Sequence, residues 1–61
     1  MMNIKLKRGT VCIEWSGRTD REVFYSKGVV FEGVVDVGDG YEWEDENNVL
    51  TFIPKENCVV L

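Results

Sequence analysis

The sequence predicts an all-β fold, one small barrel of five to six short strands with little or no helix. Three observations predict it. Valine occurs ten times while alanine and glutamine never occur. Apolar residues alternate with polar ones at period two, and no stretch sustains a 3.6-residue repeat beyond about two turns. Glycine, aspartate and asparagine punctuate the apolar runs closely, with no linker and no internal repeat between them.

Taken in order, Ile4 and Leu6 alternate with Lys5 and Lys7, Arg8-Gly9 supplies a turn, and Val11, Ile13 and Trp15 alternate with Cys12 and Glu14. Residues 1–15 thus read as a hairpin whose apolar parity flips at Gly9, with Trp15 on the core face beside Val11 and Ile13. Ser16 to Arg21 is a polar loop, Glu22 to Ser26 a short strand, and Lys27-Gly28 a tight hairpin turn. Val29 to Val37 is the longest strand, with Val29, Phe31, Gly33, Val35 and Val37 on one face. A glycine in its middle predicts a sharp bend at Gly33. Gly38-Asp39-Gly40 is a turn, after which Tyr41 and Trp43 alternate with Glu42 and Glu44; Trp43 reads as core and Tyr41, at a strand start, as exposed. Asp45 to Asn48 is another turn, Val49 to Ile53 a strand, and Pro54 to Asn57 a single turn of 3₁₀ type. Cys58 to Leu61 is apolar on both faces, so its edge needs cover. Two arrangements supply it: pairing with a neighbouring subunit, the favoured one, or closure against Val11 to Trp15.

Sixty-one residues make a single domain, residues 1–61, with thin stability. The chain has no histidine and two cysteines, which leaves neither a Ser-His or Cys-His nucleophile nor the usual zinc ligand sets. The carboxylates between Asp36 and Glu46 do not follow a calcium-loop pattern. No enzyme activity, cofactor or metal is therefore expected. The start, MMNIKLKRGT, lacks the apolar core of a signal peptide, and no apolar run is long enough to span a membrane. A cytoplasmic location follows as an expectation, with Cys12 and Cys58 reduced. The net charge of −4 is unevenly spread: residues 1–27 carry a net +3 and residues 28–61 a net −7. Such polarity can orient subunits head to tail or recruit a basic partner.

Residues 22–61 carry a resemblance. "GVVFEGVVDVGD" spaces Gly28, Gly33 and Asp39 as the first motif of the Sm-like family does, and "IPKENCVVL" matches the second motif in length. Sm-like proteins are small, strongly bent barrels of the SH3-like type that assemble into rings and commonly bind RNA. The resemblance implies an SH3-like or Sm-like barrel and a homo-oligomer joined through Cys58, Val59, Val60 and Leu61. It does not carry over the family's RNA pocket, because Trp43 stands where that pocket has asparagine and Pro54-Lys55 where it has arginine-glycine.

The function expected is that of a non-enzymatic binding module acting through protein contacts, in the style of a phage or mobile-element accessory protein that binds a host factor. Candidate binding residues are Asp39, Tyr41, Glu42, Trp43 and Glu44 in the acidic half and Lys5, Lys7 and Arg8 in the basic one. The alternative is an Sm-like barrel that binds RNA or single-stranded DNA through the basic N-terminal hairpin, although a net negative chain repels phosphate. A small-ligand pocket at a subunit interface, lined by Tyr41 or Trp43, is a third possibility.

Overall fold

A computed structural model describes residues 2–61. The chain is all-β. Its strands are β1 (Met2–Leu6), β2 (Thr10–Ser16), β3 (Thr19–Tyr25), β4 (Val30–Asp36), β5 (Gly40–Glu44), β6 (Leu50–Pro54) and β7 (Cys58–Val60), with a 3₁₀ turn at Lys55–Asn57. They form one antiparallel sheet in the order β3-β2-β6-β5-β4-β1-β7. Seven strands form where five to six were expected. The sheet is not closed by hydrogen bonds, and β3 and β7 are its edges.

The sheet nevertheless wraps around one core. Buried Ile4 and Leu6 of β1, Cys12 of β2, Phe31 and Val34 of β4, Tyr41 of β5 and Ile53 of β6 form a single cluster, on which Tyr25 of β3 and Cys58 of β7 pack. β1 and β2 lie four strands apart in the order, about 19 Å in a flat sheet at ordinary strand spacing. Sharing a core therefore requires strong curvature. Much of it comes from β4, whose first part pairs with β1 and whose last residues, Val35 and Asp36, pair with β5. The register slips between Met2↔Val34 and Ile4↔Phe31, placing one extra residue on β4. Gly33 takes φ = 72° there, and its N–H donates to Asn3 Oδ1 at 3.1 Å. The bend expected at Gly33 is a bulge.

The bulge also corrects a face assignment. Phe31 and Val34 both point inward, leaving Val35 and Val37 at 61% and 41% exposure on the other side. A second correction concerns residues 1–15, which are not a hairpin. β1 pairs with β4 and β7, and β2 with β3 and β6. Even-numbered residues face inward in both strands, Ile4 and Leu6, then Thr10 and Cys12, so Gly9 causes no flip. Val11 and Trp15 point outward instead. The connection carries the chain from one half of the sheet to the other, held by the Thr10 hydroxyl donating to the Arg8 carbonyl at 2.8 Å.

Two connections differ from expectation in opposite ways. The polar loop 16–21 is a two-residue turn, with Ser16 paired to Thr19 and Gly17 at φ = 63°, the value a type II′ hairpin needs at its first central residue. Lys27-Gly28 is a corner between unpaired strands, its Val29 N–H donating to Ser26 O at 3.3 Å. The turns at 38–40 and 45–48 and the 3₁₀ turn lie where the sequence places them. Cys58–Val60 does close on its own chain, but against Ile4–Leu6 rather than Val11–Trp15.

Candidate functional site

In an antiparallel sheet, residues directly opposite each other share a face, so the register maps the outer surface row by row. One row across β3, β2, β6, β5 and β4 reads Glu22, Ile13, Phe52, Glu42, Val35. The next, across β3, β2, β6 and β5, reads Asp20, Trp15, Leu50, Glu44. A third pairs Phe24 with Val11. The centre of this face is apolar, and each of the first two rows has a carboxylate on either side. Phe24 is 65% exposed, Val11 50% and Trp15 39%, while Ile13, Leu50 and Phe52 are half-buried. Two glycines leave room for the aromatics, Phe24 beside Gly9 and Phe52 beside Gly40. Glycine under a cross-strand aromatic lets the ring cover the backbone.

The far end of the sheet presents a different face. Val30, Lys5 and Val59 form a row across β4, β1 and β7. Beside it a cavity of about 470 Å³ is lined by Lys5, Leu6, Lys7, Lys27, Gly28 and Val59. No carboxylate lines it. Glu32 lies on the same side of β4, opposite Asn3 and diagonal to Lys5 in the register. A second cavity of about 330 Å³, at the β2–β3 end, holds Glu14 and Arg21, whose ion pair spans 2.9 Å, with Ser16, Thr19 and Val49.

A third polar feature ties the β4–β5 turn to the 3₁₀ turn. Lys55 Nζ donates to both oxygens of Asp36 at 2.8 and 2.9 Å and stands 5.3 Å from the centre of the Tyr41 ring. The Lys55 hydrogen bond, with the Gly38 N–H, holds the Asp36 carboxyl below its ordinary range, and the same bond raises Lys55. Inside, burial is the largest cause that pushes the Cys12 thiol up to about 11, with nearby Cys58 adding to it. Burial likewise raises the Cys58 thiol and the Tyr25 phenol. Neither cysteine is bonded to another.

The strand geometry divides the residues singled out in the sequence. Tyr41 is buried, not exposed, and Trp43 is half-buried with its ring 5.5 Å edge-on from Phe31, both on the inner face. Glu42 and Glu44 point outward on the same strand, so the four do not form one site. Asp39 sits in the β4–β5 turn, where its carbonyl accepts the Lys55 N–H at 3.4 Å. Lys5 and Lys7 share the lysine-lined cavity, joined there by Lys27; Arg8 does not line it. Val59, Val60 and Leu61 are exposed and Cys58 half-buried, along a strand with one free edge.

Sequence reasoning missed the outer aliphatic and aromatic face. Its signal was present in Asp20, Glu22 and Phe24 alternating with Arg21, Val23 and Tyr25, but treating 16–21 as a loop hid it. Among the described residues no three His, Cys, Asp or Glu side chains gather as a metal site, and no helix is long and apolar enough to cross a membrane. No protein-family model, curated protein or solved structure matches this chain.

Proposed function

We propose that this chain is a non-enzymatic binding module that docks a protein through the outer face of β3, β2, β6 and β5. The exposed apolar rows flanked by Asp20, Glu22, Glu42 and Glu44 carry the reading. A monomer seldom leaves so continuous an apolar surface in water, and carboxylates along its sides select a partner that brings cations. The finer architecture proposed is an SH3-like or Sm-like barrel acting in the cytoplasm, with a phage-like accessory protein that binds a host factor as the biological setting. Trp15→Ser combined with Phe24→Ser removes the two most projecting rings without touching the core. Affinity capture with wild-type and variant chains, followed by titration of the purified captured protein, tests the idea. The expected result is a loss of at least about tenfold in affinity, in line with aromatic anchors of a docking site. A captured partner whose affinity is unchanged would discard this face.

The lysine-lined cavity favours a second reading, single-stranded RNA or DNA binding through Lys5, Lys7 and Lys27. Fluorescence titration with an oligonucleotide at two salt concentrations decides between them. Micromolar binding that weakens with salt and disappears in Lys5→Glu with Lys7→Glu would put this reading first.

A further inference from the structure

We infer that the partner of the acid-flanked face is a second copy of this chain, seated by its lysine-bearing face, so that molecules associate head to tail. This rests on the proposed reading of the outer face as a protein-docking surface, and names the occupant.

The occupant that face calls for has an apolar centre and unneutralised cations. The opposite end of the same sheet supplies both. Val30, Val59 and Leu61 are 46%, 42% and 65% exposed around Lys5, and Leu61 is tied to the face by its N–H donating to Asn3 O at 2.9 Å. Among the described residues, the chain's own ion pairs engage Arg21 with Glu14 and Lys55 with Asp36, and they leave Lys5, Lys7 and Lys27 free. Three lysines thus line one cavity while two pairs of carboxylates flank the opposite face. Among the described residues neither set is ion-paired within the chain, and each finds a counter-charge on a neighbour.

Shape agrees with charge. The lysine-lined cavity is a hollow of about 470 Å³, and Phe24 is the most exposed ring on the acid-flanked face. Phe24 of one copy fills the hollow of the next, where the ammonium groups of Lys5, Lys7 and Lys27 meet the negative face of the ring. Because the two faces are different surfaces of one molecule, the contact is heterologous and repeats, giving a closed ring or an open fibre.

The test uses two variants, each with one ruined face. Trp15→Ser with Phe24→Ser spoils the acid-flanked face; Lys5→Glu with Lys7→Glu and Lys27→Glu spoils the other. All five positions are exposed, and circular dichroism verifies that the fold survives. Light scattering is read from about 10 μM to about 1 mM, the range in which weak association reports itself through concentration. Wild type should grow beyond a dimer with concentration, each variant alone should stay monomeric, and an equimolar mixture should stop at a dimer, since one intact pair of faces remains. Added salt should weaken the wild-type assembly severalfold. A monomeric wild type overturns the inference by itself, whatever the variants do. So does a wild type that stops at a dimer unaffected by the lysine changes, which would mean that the acid-flanked faces meet each other. If wild type is monomeric yet captures another protein through Trp15 and Phe24, the docking reading stands and only the second copy is refuted.

Discussion

A Cβ placed on Gly40 would collide with the Phe52 ring and lie 2.7 Å from the Ile53 carbonyl oxygen, so relief requires a backbone shift. At Gly9 the only crowding comes from the Phe24 ring, at 2.7 Å, and that ring is 65% exposed and free to swing. Gly40→Ala should therefore cost about 1–3 kcal/mol, the range for overpacking, and Gly9→Ala clearly less. Urea unfolding measures both; equal losses would contradict the difference between backbone and side-chain obstruction. Cys12 offers a titration at the same scale. Its thiol, raised to about 11 by burial, stays protonated in the folded chain when the unfolded chain has begun to ionise. The contribution is fully present below the unfolded value, near 8.5, and is lost as pH rises toward the folded one, by up to about 1.4 kcal/mol per pH unit. Cys12→Ala, although less stable, should show a shallower fall in stability between pH 9 and 11. Asp36 works in the opposite direction: its lowered value stabilises above the unfolded carboxyl range and is lost in acid, weakly, because the pair is exposed to solvent.

Among the elements, β4 shows what a single glycine does. Its φ of 72° at Gly33 lies in the left-handed region, where a β-branched residue is strained by about 1–3 kcal/mol. Gly33→Val should unfold at lower urea by about that amount, and Asn3→Ala, which removes only the acceptor for the Gly33 N–H, by about 1 kcal/mol. An unchanged midpoint for Gly33→Val would mean that the bulge relaxes without strain. The bend was legible in the sequence because glycine in a valine-rich strand has few other uses. Its effect on parity was not, since a bulge moves every later residue to the other face and leaves no mark in composition. The β2 error has a related source. Ile13, Trp15 and Val11 are more apolar than Thr10, Cys12 and Glu14, so hydrophobicity alone turns the strand the wrong way round. Where both faces are partly apolar, pairing decides, and pairing here joins Ile13 to Phe52 and Trp15 to Leu50 on the outside. The lysines Lys5 and Lys7 were legible as a pair, whereas Lys27 joins them only because the corner at Gly28 folds back, its N–H donating to Leu6 O at 2.8 Å.

For the molecule as a whole, composition and charge asymmetry were the legible part, and the destination of the exposed apolar surface was not. A 61-residue chain has little core to spare: its fully buried apolar side chains are Ile4, Leu6, Cys12 and Ile53, with Phe31, Val34 and Tyr41 close behind. Domains of this size commonly gain stability from a partner, a metal or a disulfide, and both cysteines here are free. Head-to-tail contact would add stability by mass action, because a neighbour binds the folded face and not the unfolded chain. The melting temperature should then rise with protein concentration, by several degrees per tenfold increase once association is under way, since about 1 kcal/mol moves Tm by roughly 4–8 °C in a domain this small. The rise should shrink in high salt and vanish in Lys5→Glu with Lys7→Glu and Lys27→Glu, while the dilute-limit Tm of that variant stays close to wild type, because among the described residues none of the three lysines is ion-paired within its own chain. A concentration-independent Tm for wild type would show instead that this small core holds the fold unaided.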